Sequence, residues 1–132
     1  DQTSIGTDWG CNGVLISGAD GTAIGTGAQN TIDIEAGCTT AGIAADICAN
    51  LSLNNYYDWF LPSKDELNEM YVNRVAINAT ALAYGGSAFS ATSYWSSTEA
   101  SSTLAWIQNL SSGYVDNGSR SASLTVRAIR AF

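Results

Sequence analysis

The period of apolar and polar positions changes several times along this chain, and each change predicts an element. Ile43, Ala44, Ile47, Cys48 and Leu51 fall at i, i+1, i+4, i+5 and i+8, one apolar face of a helix expected from about Thr40 to Leu51, with Thr39 or Thr40 as its N-cap. A second helix is marked by chemistry as well as period. Pro62 stops a helix from entering earlier, Ser63 is an N-cap and Glu66 stands at N3, so Ser63-Lys64-Asp65-Glu66 reads as a capping box. Leu67, Met70, Tyr71 and Arg74 then share a face. Asp65 and Glu66 sit in the first turn, where the helix dipole favours negative charge. From Tyr94 onward the pattern alternates, with turns at Ser112-Gly113 and Asn117-Gly118, which predicts antiparallel strands ending in one from Leu124 to Ala131.

Other segments carry weaker patterns. Gly13-Val14-Leu15-Ile16-Ser17 and Thr22-Ala23-Ile24-Gly25 flank an Asp20-Gly21 pair, and Asp-Gly between apolar runs predicts a hairpin. Gly25-Thr26-Gly27-Ala28-Gln29-Asn30 looks superficially like a dinucleotide loop but lacks the third glycine. Thr31 to Glu35 fits a strand or a helical turn equally well. Ala79 to Thr92, rich in small residues and containing Gly85-Gly86-Ser87, predicts a long surface loop.

With 132 residues, 45% of them apolar and 13% charged, the chain reads as one domain, residues 1–132, with a genuine core. The net charge of −7 repels phosphate backbones and anionic membranes, so neither nucleic acid nor membrane insertion is expected. No run reaches the roughly 18 apolar residues of a membrane-spanning helix. The start, Asp1-Gln2-Thr3-Ser4, does not resemble a signal peptide, as a mature or excised domain would not. Scarce lysine and abundant Ser, Thr, Asn and Gly suggest an extracellular, cell-surface or virion-surface setting.

Three cysteines allow at most one internal bridge. Cys48 points into the core from its helix face, where a free thiol acts as a small hydrophobe. That leaves Cys11, near the first strand, to pair with Cys38. Without histidine or a C-x-x-C pair, zinc is not expected. Oxygen ligands around Asp20, Asp58 or Asp116-Asn117 could hold Ca²⁺, although such clusters commonly form turns; no other cofactor is implied.

Two of the five basic residues, Arg127 and Arg130, fall inside the last apolar strand and need partners. Glu99, beside a buried-strand pattern, is the expected counter-ion of one of them. The absence of histidine removes the usual acid–base and triad chemistry. A carboxylate pair such as Glu99 with Asp116 is the remaining enzymatic option, as a glycosidase, and the expectation is no enzyme. Asn-x-Ser/Thr sites begin at Asn50, Asn78, Asn109 and Asn117, as Ser/Thr-rich sequence produces by chance.

Trp59-Phe60-Leu61-Pro62-Ser63-Lys64-Asp65-Glu66-Leu67, Tyr94-Trp95-Ser96-Ser97-Thr98-Glu99, Ala105-Trp106, Gly113 and Val126-Arg127-Ala128-Ile129-Arg130 together resemble the Lcl C-terminal domain family. The resemblance implies an α+β, C-type-lectin-like fold related to the formylglycine-generating-enzyme module. It also implies adhesion, glycan binding and trimeric assembly, since such domains end bacterial collagen-like adhesins and many secreted or phage-encoded proteins. The family's sulfated ligands want a basic surface, which a chain of net −7 does not offer. The oxidase module needs cysteines in its second half, and here all three precede residue 50. Lectin-fold domains ending this way include targets of diversity-generating retroelements, and the polar positions after Trp95 fit such a surface as well as they fit a solvated sheet edge. For ligand contact, Gln108, Asn109, Tyr114, Asp116 and Asn117 are the surface candidates, because they fall in or beside turns. The partner is then a surface glycan or protein, and a structural or oligomerisation module is the rival reading.

Overall fold

The computed structural model describes residues 2–131 and is an α+β structure. Strand β1 (Thr3–Thr7) is followed by a long irregular segment, then helices α1 (Gly27–Gly37), α2 (Ala44–Ala49), α3 (Lys64–Val72) and α4 (Arg74–Ala83). Strands β2 (Ser93–Glu99), β3 (Leu104–Asn109), β4 (Val115–Ser119) and β5 (Leu124–Arg127) complete the chain. The sheet runs β1-β5-β2-β3-β4, antiparallel except for the parallel pair β2 and β5. The first and last strands are therefore hydrogen-bonded to each other, and β4 is an edge.

Strand β2 is buried on both faces because successive side chains point opposite ways. Trp95 joins Trp9, Ile34, Ile43, Cys48, Leu61 and Val126 in the main core, under α1 and α2. Tyr94 faces the other way and packs with Leu67, Met70 and Leu110, under α3. Each buried indole finds an acceptor: Trp9 Nε1 donates to Ser96 O at 2.9 Å and Trp95 Nε1 to Thr7 O at 2.8 Å.

The capping box at α3 forms, with Ser63 Oγ accepting from Glu66 N at 3.3 Å and Glu66 Oε2 accepting from Ser63 N at 2.7 Å. Glu66 does more than cap its own helix. Its Oε1 accepts from Gly25 N at 2.8 Å, so one buried carboxylate holds the backbone leading into α1 against the start of α3. Gly27 makes the approach feasible, because a Cβ there would run into the Glu66 carboxylate and the Leu61 and Ser63 backbone. Cys11 and Cys38 form the disulfide, and Cys48 is a buried free thiol.

Four sequence expectations are corrected and one ambiguity is resolved. The hairpin at 13–25 does not exist: Val14, Leu15 and Ile24 are exposed, and the segment is a string of turns. Thr31 to Glu35 lies within α1, resolving that ambiguity as helix. The helix expected over 40–51 is the shorter α2, entered through Ile43 with no side-chain cap. The loop over 79–92 begins only after α4, a helix with no buried residue whose last turns were hidden by the run of small residues there. The terminal strand ends at Arg127, beyond which Ile129 makes one bridge to Phe60.

Candidate functional site

The surface candidates belong to the β3–β4 hairpin, and its position is set by a residue that the sequence did not single out. Arg120, just past β4, is fully buried. Its Nη2 donates to Glu99 Oε2 at 2.6 Å, and its Nη1 donates to the carbonyls of Val14 and Ser102, both at 2.5 Å, and of Cys11 at 3.3 Å. The guanidinium also stacks over the Trp9 ring, 4.1 Å from its centroid. Burial pulls the Arg120 pKa down, and the Glu99 carboxylate opposes that pull. Glu99 Oε2 additionally accepts the Ile16 amide at 2.7 Å. The pair thus joins the hairpin's return to the 11–19 segment by hydrogen bonds to its backbone.

Glu99 therefore neutralises Arg120, correcting the expected pairing with Arg127 or Arg130. Arg127 is buried too. Its Nη1 donates to Thr3 Oγ1 at 2.7 Å and Ser87 O at 3.0 Å, its guanidinium lies over Phe89, and burial lowers its pKa. Arg130 takes a different acid: Nε and Nη2 reach Asp58 at 2.8 and 2.9 Å near the surface, and that hydrogen-bonded pairing holds the Asp58 carboxyl below its ordinary range. Arg120 was discoverable in principle, as one of only five cations in the chain. Its address beyond a turn hid its partner.

The hairpin turn is built by Asn109 and closed by Tyr71 of α3. Asn109 Oδ1 accepts from Ser111 N at 2.8 Å and Ser112 N at 3.0 Å, while Gly113 N donates to Asn109 O at 2.8 Å. Gly113 has φ +82°, and a Cβ on it would strike the Tyr71 ring. Gln108 is not at the surface: it is 2% exposed, and its Nε2 donates to Asn68 Oδ1 at 2.9 Å and Gly113 O at 3.2 Å. The structure thus assigns Gln108 and Asn109 to the inner support of the turn.

Tyr114, Asp116 and Asn117 are exposed, with Tyr114 65% accessible. Tyr114 Oη donates to Asp116 Oδ2 at 3.1 Å, and the acid raises the Tyr114 pKa. Asp116 Oδ1 also accepts the Asn117 amide at 2.7 Å. The result is an aromatic ring and a carboxylate held together at the edge strand, with the Asn117 carboxamide on the opposite face of β4. Lys64, at the start of α3, lies over the neighbouring Trp106 ring at 4.1 Å. Among the described residues no group of three or more acidic or cysteine side chains converges on a point where a metal ion would sit. Glu99 is committed to Arg120 and Ile16, so it is not a free acid facing a sugar.

The Lcl C-terminal domain profile matches residues 11–130, and the chain belongs to that family of surface-associated domains. Among curated proteins no match to the chain is found. Among the described residues no helix is long and apolar enough to cross a membrane.

Proposed function

We propose that the domain is a non-enzymatic recognition module of C-type-lectin-like fold, displayed outside the cell or at a fibre tip, and that the β3–β4 hairpin meets a surface glycan or protein. The observation that carries this reading is the exposed Tyr114–Asp116 pair, with Asn117 next along β4, beside a turn braced from within by Gln108 and Asn109. Tyrosine offers a ring for stacking, Asp116 accepts hydroxyl protons, and Asn117 both donates and accepts. The net charge of −7 favours neutral or cationic surfaces over sulfated ones. Glycan-array and whole-cell binding should fall at least about tenfold, roughly 1.4 kcal/mol, in Tyr114→Ala and Asp116→Ala with folding intact. Unchanged binding in both variants would remove the hairpin from the ligand site.

A second reading has its own observation. Val75, Leu82 and Tyr84 on and beside α4 are 76%, 63% and 87% exposed, as expected of a face that packs on neighbouring copies in an oligomerisation module. Analytical ultracentrifugation separates the two, because a persistent monomer ends the second.

A further inference from the structure

A cavity of about 440 Å³ opens between α1 and the 57–60 segment, and none of its lining residues belongs to the hairpin. Ala28, Ile32 and Glu35 of α1 form one side, and Tyr57, Trp59 and Phe60 form the other. The mouth is open: Ile32 is 60% and Tyr57 71% exposed. Its walls are aromatic and aliphatic, and its free charge is negative. Asp58, also at the cavity, is engaged by Arg130, whereas no cation among the described residues lies within ion-pair distance of Glu35. The acid beside Glu35 is Asp46, itself held by Gly42 N at 2.7 Å and Asn50 Nδ2 at 2.8 Å.

We propose that this cavity is a docking site for a lysine side chain of a partner protein. The stem of a lysine is a flexible apolar chain that would lie along Ala28, Ile32 and Phe60, and its ammonium would reach the rings of Tyr57 and Trp59 and the Glu35 carboxylate. Charge complementarity selects this occupant. Two neighbouring carboxylates without a cation repel each other, and burial together with Asp46 raises the Glu35 pKa, so an arriving ammonium relieves a cost already present. A choline-type headgroup has the charge without the stem, and a neutral sugar has neither.

The intact protein is titrated with Nα-acetyl-lysine methylamide, its Nε-acetylated counterpart and choline, read by tryptophan fluorescence and by amide chemical shifts. Saturable binding of the lysine derivative is expected, weakened about fivefold or more by Nε-acetylation and by either Glu35→Gln or Tyr57→Ala. The Tyr114→Ala and Asp116→Ala variants should bind it as well as the parent, so this site and the hairpin succeed or fail separately. The proposal is overturned by the absence of saturable binding, by equal binding of the acetylated compound, by indifference to both substitutions, or by tighter binding of choline.

Discussion

Glu99 and Arg120 meet at 2.6 Å with the guanidinium fully buried, and between them they hold four backbone groups of the 11–19 segment and of Ser102. A buried ion pair of this kind contributes little when compared with an apolar replacement, but losing one partner strands the other. Arg120→Met should therefore lower stability by about 3–5 kcal/mol in urea denaturation. The double variant Arg120→Met/Glu99→Gln should recover about 1 kcal/mol or more of that loss, since no unpaired charge remains. A loss below about 1 kcal/mol in Arg120→Met would show the pair to be dispensable.

Glu66 completes the α3 capping box and also holds the backbone just before α1. Replacing it with alanine leaves the Ser63 and Gly25 amides without their acceptor and should cost about 2–3 kcal/mol, more than an ordinary single cap. Gly27→Ala attacks the same junction by overpacking and should cost about 1–3 kcal/mol. Thermal melts of the two single variants and their combination would show strong non-additivity, because both disturb one contact.

The disulfide closes a loop of sequence separation 27. Loop entropy alone puts its contribution at about 3–4 kcal/mol, so the Cys11→Ser/Cys38→Ser variant should unfold at visibly lower urea. Cys48 is buried and its pKa is raised by desolvation, so a thiol reagent should find no reactive group until the protein unfolds. Rapid labelling of Cys48 in the native state would contradict its placement.

Glu35 gives a pH dependence of definite sign. Its folded pKa lies above the ordinary 4.5, chiefly through burial and then through Asp46, so the folded state binds its proton more readily than the unfolded state. Acidification from neutrality through that raised value should add stability from this group, until the unfolded carboxyl also protonates near pH 4.5. Glu35→Gln should make the protein more stable at pH 7, by about 0.5 kcal/mol after allowance for solvent screening, and remove this gain. Asp58 acts oppositely. Its pKa is lowered by Arg130, so its contribution is present above the ordinary value of 3.8 and is lost as pH falls through the folded one. Melting curves of Glu35→Gln and Asp58→Asn across this range should diverge in opposite directions.

Much of the architecture was legible in local chemistry. The α3 capping box and the burial of Cys48 each follow from residue type and spacing within one segment, and the pairing of Cys11 with Cys38 follows from setting Cys48 aside. What stayed hidden depends on residues far apart in sequence. The 13–25 segment shows hairpin signals, yet its backbone is served by Arg120, Glu99, Glu66 and Asn30, so it needs no partner strand. With three arginines after residue 119, spacing could not decide which one Glu99 meets. For the candidate site, the turn at Ser112-Gly113 was visible, but the turn expected at Asn117-Gly118 is the interior of β4, and the direction of Gln108 was not legible. It shares a sheet face with Tyr94, which turns it under α3 toward Asn68.

The central claim is that an internal guanidinium holds the hairpin while its outer side chains are free to bind. Melting and cell-surface binding of Tyr114→Ala/Asp116→Ala/Asn117→Ala, measured on the same preparation, test it most directly. The account predicts a melting temperature within about 2 °C of the parent, as for exposed positions, together with loss of binding. Retained binding, or a melting temperature that falls as far as in Arg120→Met, would contradict it.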